Sequence, residues 1–411
     1  MMIRSTRRRM ILAATTTAIA VAPFFGTAAV AHPAHSVSIT PVLGGLAAPR
    51  GIAFDGRGSM YVAESGVAGD GPAGLTQTGK VSKYRWGSTT PSWSTPFSSV
   101  YATEDPSAPP DVLGPEGLSA TSSRCSTHRR DDRSSHSRYR WHHRSHNKAC
   151  QVSMIMSEST PGVAAASGGA VNAPQAGHLY RLNGATGAAT DKADVGSQMY
   201  KWTGDNKALF PDDFPDSNPY GVLVTQDHRN GRTRTFVADA GANTISEVMR
   251  DGTARIIAYI PNETAAPFRD STPTCIAQGP DGWLYVGTLH FVSNLFTGSG
   301  GNQSDVWRVN PNANYPTAPQ LWTSGLTTVT ACTFDRSGNF WATEMFQGGL
   351  EASPPGDIVK IPFRNPSSHT RIGAGQLALP GGIAQGPDGA MYVTVGSSAP
   401  GVSGGVMRVG R

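Results

Sequence analysis

Four carboxylates recur at matching points of a repeated pattern: Glu64, Glu158, Asp239 and Glu344 each close a short apolar run that reads as the second strand of a hairpin. Near the starts of the preceding strands stand Arg50, Glu116, Asn218 with Tyr220, Thr274 and Thr330. In an antiparallel sheet the start of a first strand and the end of a second lie at the same edge, so these two sets face one way. Three kinds of chemistry fit. A ring of carboxylates with Asn side chains and backbone carbonyls is hard-oxygen chemistry of the kind that binds calcium, with Glu64, Glu158, Asp239 and Glu344 as ligands. Arg50, Glu116, Asn218 and Tyr220 could instead hold an organic ligand. Alternatively Arg50 pairs with Glu64 or Glu116, and Asp239 caps its own Ala-Gly-Ala-Asn turn.

No nucleophile–base signature accompanies them. Gly69–Gly74 fits G-x-G-x-x-G, but a strand follows where a dinucleotide site needs a helix. Gly401–Gly405 fits G-x-S-x-G, yet it is a loop before the last strand, with no strand-to-helix elbow. There is no H-E-x-x-H and no C-x-x-C. Asp305 and Asp357 open third strands and read as turn formers.

The elements that carry these residues repeat along the chain. Gly51–Gly66, Gly221–Gly241, Thr274–His290, Ala331–Phe346 and Gly382–Gly396 share one plan: an apolar strand, a Gly-containing turn, then a second strand that begins with aromatic residues or Met. A sixth copy starts at Gly117–Ala120 and resumes at Cys150–Thr160. Asp-Gly and Ser-Gly supply the positive φ that a tight antiparallel turn requires. A third strand follows each copy, from Gly79, Gly177, Asn243, Ser304, Gly356 and Gly405. Six units of this kind predict an all-β fold, a six-bladed β-propeller with four-stranded antiparallel blades around a central channel. The segment from Ser38 to Val42 is expected to complete the last blade beside Val406, closing the ring.

Composition agrees. Gly makes up 48 of 411 residues, and only 15% of residues are charged against a usual value of roughly 25%, which suits many short strands and turns rather than helical bundles. Residues 1–31 read as an export signal, with Arg4, Arg7, Arg8 and Arg9 before an apolar stretch and a small-residue site at Ala29–Ala31; the Arg cluster also fits a twin-arginine signal. Losing it removes four Arg and no acid, leaving the mature chain at +1. Residues 121–148 carry a local +6 from seven Arg, one Lys and two Asp, so the remaining body is mildly acidic and nucleic acid is not an expected partner. That insert holds five His and no Val, Ile, Leu, Met or Phe, and reads as a disordered basic loop, a stretch of shifted reading frame or a metal-binding tract through His142, His143 and His146. Four cysteines in an exported chain suggest two bridges, Cys125 with Cys150 and Cys275 with Cys332, although four Cys allow three connectivities.

The segments Leu46–Gly66, Gly114–Ala120, Met156–Ser159, Ser217–Gly221, Val237–Thr244, Gly279–Gly287 and Leu379–Val393 together resemble the ScyD/ScyE family of exported propeller proteins. The Asn-Pro-Tyr-Gly and Ala-Asp-Ala-Gly-Ala-Asn stretches are the most specific of these. More distantly, Gly-Pro-Asp-Gly-x-Leu-Tyr-Val is similar to NHL-type and gluconolactonase-type propellers, some of which are calcium-dependent enzymes. The resemblance implies a secreted or envelope protein, without a membrane anchor once the signal is cleaved. Its expected role is non-catalytic binding of a small molecule, glycan or partner at the channel mouth. The competing expectation is a calcium-dependent hydrolase or lactonase with Glu116 or Glu64 as metal ligand and Asp239 as base. A third is an envelope scaffold.

Overall fold

The computed structural model describes residues 37–67, 74–102, 111–120, 150–210, 215–226, 232–263, 269–295, 299–348, 355–398 and 403–410. Six antiparallel sheets stand around one axis. The chain begins with β1 (Ser38–Leu46), then enters blade 1 with β2 (Pro49–Phe54), β3 (Met60–Glu64), β4 (Thr76–Tyr84) and β5 (Pro91–Ala102). A short β6 (Asp111–Leu113) pairs outside β5, so this sheet has five strands rather than four. Blade 2 contains β7 (Pro115–Ala120), β8 (Gln151–Met156), β9 (His178–Asn183) and β10 (Ala189–Asp194). Blade 3 is β11 (Pro219–Gln226), β12 (Thr233–Asp239), β13 (Thr244–Val248) and β14 (Ala254–Tyr259). Blade 4 is β15 (Pro273–Gln278), β16 (Leu284–Thr288), β17 (Ser304–Val309) and β18 (Gln320–Leu326). Blade 5 is β19 (Val329–Phe334), β20 (Asn339–Phe346), β21 (Pro355–Pro362) and β22 (Thr370–Leu377). Blade 6 takes β23 (Ile383–Gln385), β24 (Met391–Val395) and β25 (Gly404–Gly410) from the end of the chain, and β1 supplies its outer strand, with Ser38 opposite Gly410 and Leu43 opposite Val406. The expected closure by the first strand is therefore present.

The same turn is built repeatedly by two sequence solutions. Gly58, Gly282, Gly338 and Gly389 all have φ between 80° and 84°. In blades 1 and 5 an Asp three residues earlier accepts the turn N–H groups and then the aromatic residue three after the glycine: Tyr61 OH donates to Asp55 at 2.8 Å and Trp341 Nε1 to Asp335 at 2.9 Å. In blades 4 and 6 the Asp immediately before the glycine does this, with Tyr285 OH donating to Asp281 at 3.0 Å and Tyr392 OH to Asp388 at 3.3 Å. The aromatic ring is thereby fixed across the seam between blades.

Because the inner strands are covered on both faces, alternate side chains feed two different seams. The apolar core is accordingly divided, one cluster to each seam, for example Tyr61, Val81 and Phe97 of blade 1 against Met154 and Leu182 of blade 2. The closing seam packs Leu43, Leu46 and Tyr392 against Ile52, Met60 and Val62. Among the described residues three α-helices interrupt the strand pattern: α1 (Thr160–Ala166), capped by Ser159; α2 (Val195–Asp205), capped by Asp194; and α3 (Phe291–Leu295). Each follows a strand that ends at the side where first strands begin, called here the mouth face. Residues 1–31, expected to be an export signal, and the basic insert at 121–148 lie outside the described residues.

Candidate functional site at the channel mouth

The six first strands converge so closely that most lack a side chain at the point of approach. A Cβ on Gly51 would collide with the backbone oxygen of Glu116 in blade 2. One on Gly117 would lie 2.5 Å from the Tyr220 oxygen, and one on Gly221 2.7 Å from that of Thr274. Gly382 faces the Arg50 oxygen in the same way and closes the circle. The glycine that opens the repeat in blades 1, 2, 3 and 6 is thus a spacing residue of the hub. In blade 4 this position is Cys275, which forms a disulfide with Cys332 of blade 5. Cys150 is disulfide-bonded as well; its expected partner Cys125 lies outside the described residues.

The residue before each spacer presents its side chain at the axis. Arg50, Glu116, Tyr220, Thr274 and Thr330 all line one narrow cavity of about 70 Å³. At about 10–15 Å³ per water, such a space holds a few waters, well short of the roughly 300–1,000 Å³ of an ordinary small-molecule pocket. Arg50 Nη1 donates to Glu116 Oε2 at 2.9 Å, and its Nε donates to the Ser397 carbonyl at 3.1 Å, so one side chain ties blades 6, 1 and 2 together. Both partners of the ion pair are buried, Arg50 at 8% and Glu116 at 1% exposure. On the opposite side of the axis Thr274 donates to the Val329 carbonyl at 2.6 Å and Thr330 to that of Pro380 at 2.9 Å. The cavity is therefore charged on one flank and neutral on the other.

Of the four residues expected to hold an organic ligand, Arg50, Glu116 and Tyr220 meet in this cavity and Asn218 does not line it. The Asn218 side chain accepts from the Glu158 N–H at 3.0 Å, linking blades 2 and 3.

The four second-strand carboxylates are not gathered at the axis, and three of them share a local duty. Glu64 accepts from the Ala47 N–H at 2.9 Å, and Glu344 from the Thr327 N–H at 2.6 Å. Asp239 accepts from the Ser217 hydroxyl at 2.6 Å, the Asn218 N–H at 2.8 Å and the Ala242 N–H at 2.9 Å. In blades 1 and 5 the served N–H is two before the first-strand residue that pairs with the carboxylate, Pro49 with Glu64 and Val329 with Glu344; in blade 3, where Pro219 pairs with Asp239, the N–H is that of Asn218 immediately before it, and the Ser217 hydroxyl is two before. The chain turning into a first strand leaves buried N–H groups, and the carboxylate satisfies them. Burial raises the pKa of Glu64 and pushes Asp239 up to about 6. In blade 2 the corresponding residue is Met156, paired with Pro115. Glu158 lies two residues further on, with φ 63°, and its carboxylate stands over Gly162 in the first turn of α1.

Calcium requires about six to eight oxygen ligands around one point. Among the described residues no group of three or more His, Cys, Asp or Glu stands close enough to hold a metal ion. Glu64, Asp239 and Glu344 already accept from their own loops, so the described residues do not fit a calcium centre.

Two buried clusters escaped the sequence reading. Asp357, opposite Glu344 in register, does not shape a turn; it is fully buried and accepts from Gln347 Nε2 at 3.1 Å. Burial, then the neighbouring Glu344 carboxylate, raises its pKa strongly. Asp305 occupies the same place in blade 4, where Arg269 donates to it at 2.7 Å. His290 lies 3.8 Å from Asp305, and neither ring nitrogen has a hydrogen-bond partner among the described residues; burial, aided by Arg269, holds its pKa down to about 3. Nothing in the local sequence marks His290, because its neighbours come from other loops.

No family model matches the chain, and no curated protein matches its sequence. Solved structures similar to it include a streptogramin B lyase, at 13% identity over 92% of this chain and 100% of that one with a TM-score of 0.44. Another is the aldose sugar dehydrogenase of Streptomyces coelicolor in its PQQ-bound form, at 9% identity over 92% and 99% with a TM-score of 0.46. A third, assigned as a gluconolactonase, has 11% identity over 92% and 93% and a TM-score of 0.41. At these identities and TM-scores none of the three bears on what this chain binds or does.

Proposed function

We propose that this chain is an exported propeller of the ScyD/ScyE kind that binds a small molecule or glycan over the channel mouth without converting it. The observation that carries this reading is the Arg50–Glu116 pair beside Tyr220: it is the charged group that the hub cavity presents, while the second-strand carboxylates are engaged with their own loops. The cavity is too narrow to enclose a sugar, so the ligand rests on the mouth and sends only a polar tip toward Arg50. Export is supported by the leader-like first 31 residues and by the Cys275–Cys332 bridge, which suits an oxidising compartment. Among the described residues no helix is long and apolar enough to cross a membrane.

The test is calorimetry of the mature protein against a panel of neutral and anionic oligosaccharides, with Tyr220→Ala as the comparison. Binding that Tyr220→Ala weakens at unchanged melting temperature is the expected result. A rise of several degrees in melting temperature on adding calcium, lost in Glu64→Gln, would overturn the reading and favour the hydrolase.

A further inference from the structure

One register position repeats a positive charge around the wheel. In five blades the third strand places a cation opposite the same second-strand position: Lys83 pairs with Tyr61, Arg181 with Ser153, Arg308 with Tyr285, Lys360 with Trp341 and Arg408 with Tyr392. Blade 3 has Glu247 there, opposite Phe236, but Arg234 and Arg255 both bind that carboxylate, so this blade too ends one charge positive. Lys83, Arg308 and Lys360 lie over aromatic rings. Ring stacking alone does not account for the series, because Arg181 recurs opposite a serine. All six places lie toward the face opposite the mouth.

The turns of that face do not neutralise the ring of cations. Among the described residues they hold six Arg, including the exposed Arg85, Arg250 and Arg364, and five Asp. β7 ends and β8 begins on this face, so the basic stretch 121–148 is joined to it. At the mouth the sign is reversed, since Glu64, Glu116, Glu158, Asp239, Asp305 and Glu344 outnumber Arg50, Lys80, Arg269 and Arg371. The wheel is thus polarised along its axis. Exposed apolar side chains are interleaved with the cations of the far face: Trp86 and Met249 on turns, and Leu321 at the start of β18.

We propose that this face docks the wheel onto an anionic phospholipid surface, with the mouth turned outward. A positive charge in every blade matches a flat charged layer, whereas a single polyanion chain follows one groove or stripe. The apolar tips decide in the same direction. A lipid headgroup layer covers Trp, Met and Leu side chains together with the cations between them, and a soluble polyanion leaves them in water. The polarity of the wheel orients it on approach, because the acidic mouth is repelled by the surface that attracts the far face. The docking face lies away from Arg50 and Glu116 and does not depend on what the mouth binds.

Co-sedimentation of the mature protein with phosphatidylcholine vesicles, and with vesicles that include phosphatidylglycerol, tests this. Binding to the anionic vesicles alone is expected, and it should weaken as salt is added. The triple variant Arg85→Glu/Arg250→Glu/Arg364→Glu changes exposed turn residues, so it should keep the melting temperature. It should weaken vesicle binding by about a hundredfold, at about fivefold for each cation near the surface. Should it fail to fold, the three single reversals replace it, each expected to cost about fivefold. Equal binding to both kinds of vesicle, or none to either, would overturn the proposal. Binding unchanged in the folded variants would assign it to residues 121–148 and overturn it too. So would capture by dextran sulfate, or salt-sensitive self-association, in place of binding to anionic vesicles, since these would give the face to a soluble polyanion or to the mouth of a second copy.

Discussion

Cys275 and Gly287 face each other in register across the first two strands of blade 4, and they invert the arrangement of blades 1 and 3. Blade 1 sets Gly51 against Ala63, and blade 3 sets Gly221 against Ala238, with the small residue at the hub. Blade 4 puts the larger residue at the hub and vacates the second strand instead. A Cβ on Gly287 would lie 2.7 Å from the Cys275 sulfur and 2.7 Å from a Val329 methyl group. Gly287→Ala is therefore expected to destabilise by about 1–3 kcal/mol through overpacking, read by urea unfolding. Cys275→Gly in the same chain should relieve much of that clash while losing the bridge. Equal stability of Gly287→Ala and the parent would show that the sulfur has room to move.

Opening the bridge itself has a separate cost. Cys275 and Cys332 are 57 residues apart, and joining the hub strands of blades 4 and 5 restricts the unfolded chain. Replacing both by Ala should cost about 2–4 kcal/mol. A loss below about 0.5 kcal/mol, near the scatter of surface substitutions, would mean that the seam holds without it.

The hub glycines make a sharper distinction. Gly51→Ala drives a methyl group into a backbone oxygen of the next blade, which cannot swing aside as a side chain would. Gly44, by contrast, has nothing within 4 Å of its Cβ position. Gly51→Ala should lower the melting temperature by many degrees or prevent folding, whereas Gly44→Ala leaves it nearly unchanged. Similar behaviour of the two variants would refute the close-packed hub.

What the sequence disclosed and what it hid divide along the range of the interactions. The turns at Gly58, Gly282, Gly338 and Gly389 are legible because a positive φ and its Asp partner lie within seven residues. The blade count follows from repetition, and the place of β1 from the lack of any other partner for it. The recurrence of Glu64, Asp239 and Glu344 is equally visible, but its purpose is not. Their partners are backbone N–H groups of Ala47, Asn218 and Thr327, and every residue except proline carries one. Glu158 illustrates the risk, since it matches by eye and stands two residues out of register. α1 and α2 were not foreseen: their caps, Ser159 and Asp194, sit in runs of small or polar residues without a clear apolar period.

Asp357 predicts a pH response with a definite sign. Its carboxyl is buried against Glu344, with Arg371 bound to Glu344 and Gln347 on its other side, and its pKa in the folded chain lies far above the ordinary 3.8. The folded protein holds a proton there that the unfolded chain gives up above about pH 4. That contribution is complete below the unfolded value and disappears as pH rises through the folded one. Asp357→Asn mimics the protonated form, so its advantage over the parent should be smallest at or below about pH 4, already open at pH 5, and widen further toward pH 9. Urea unfolding at pH 5, 7 and 9 reads the difference, and a gap that stays constant across that range would reject the assignment.

Removal of β1 tests the closure of the wheel. Seven residue pairs run from Ser38–Gly410 to Leu46–Gly404, and the Leu43 and Leu46 side chains belong to the cluster that joins blade 6 to blade 1. A mature chain that starts at Gly44 would leave β25 as an open edge and expose the apolar side of Val406 and Tyr392. Burying one Leu contributes about 1.5–3 kcal/mol, and the ladder hydrogen bonds add to it. The truncated protein should therefore melt several degrees lower at comparable concentration, since at about 2.1 cal/mol/K per residue a shift of 1 kcal/mol moves a chain of this length by roughly 1 °C. It should also self-associate through the freed edge, which sedimentation would detect. A monomer melting within a degree of the parent would mean that the ring closes through hub contacts such as Gly382 against Arg50, and that β1 only covers its flank.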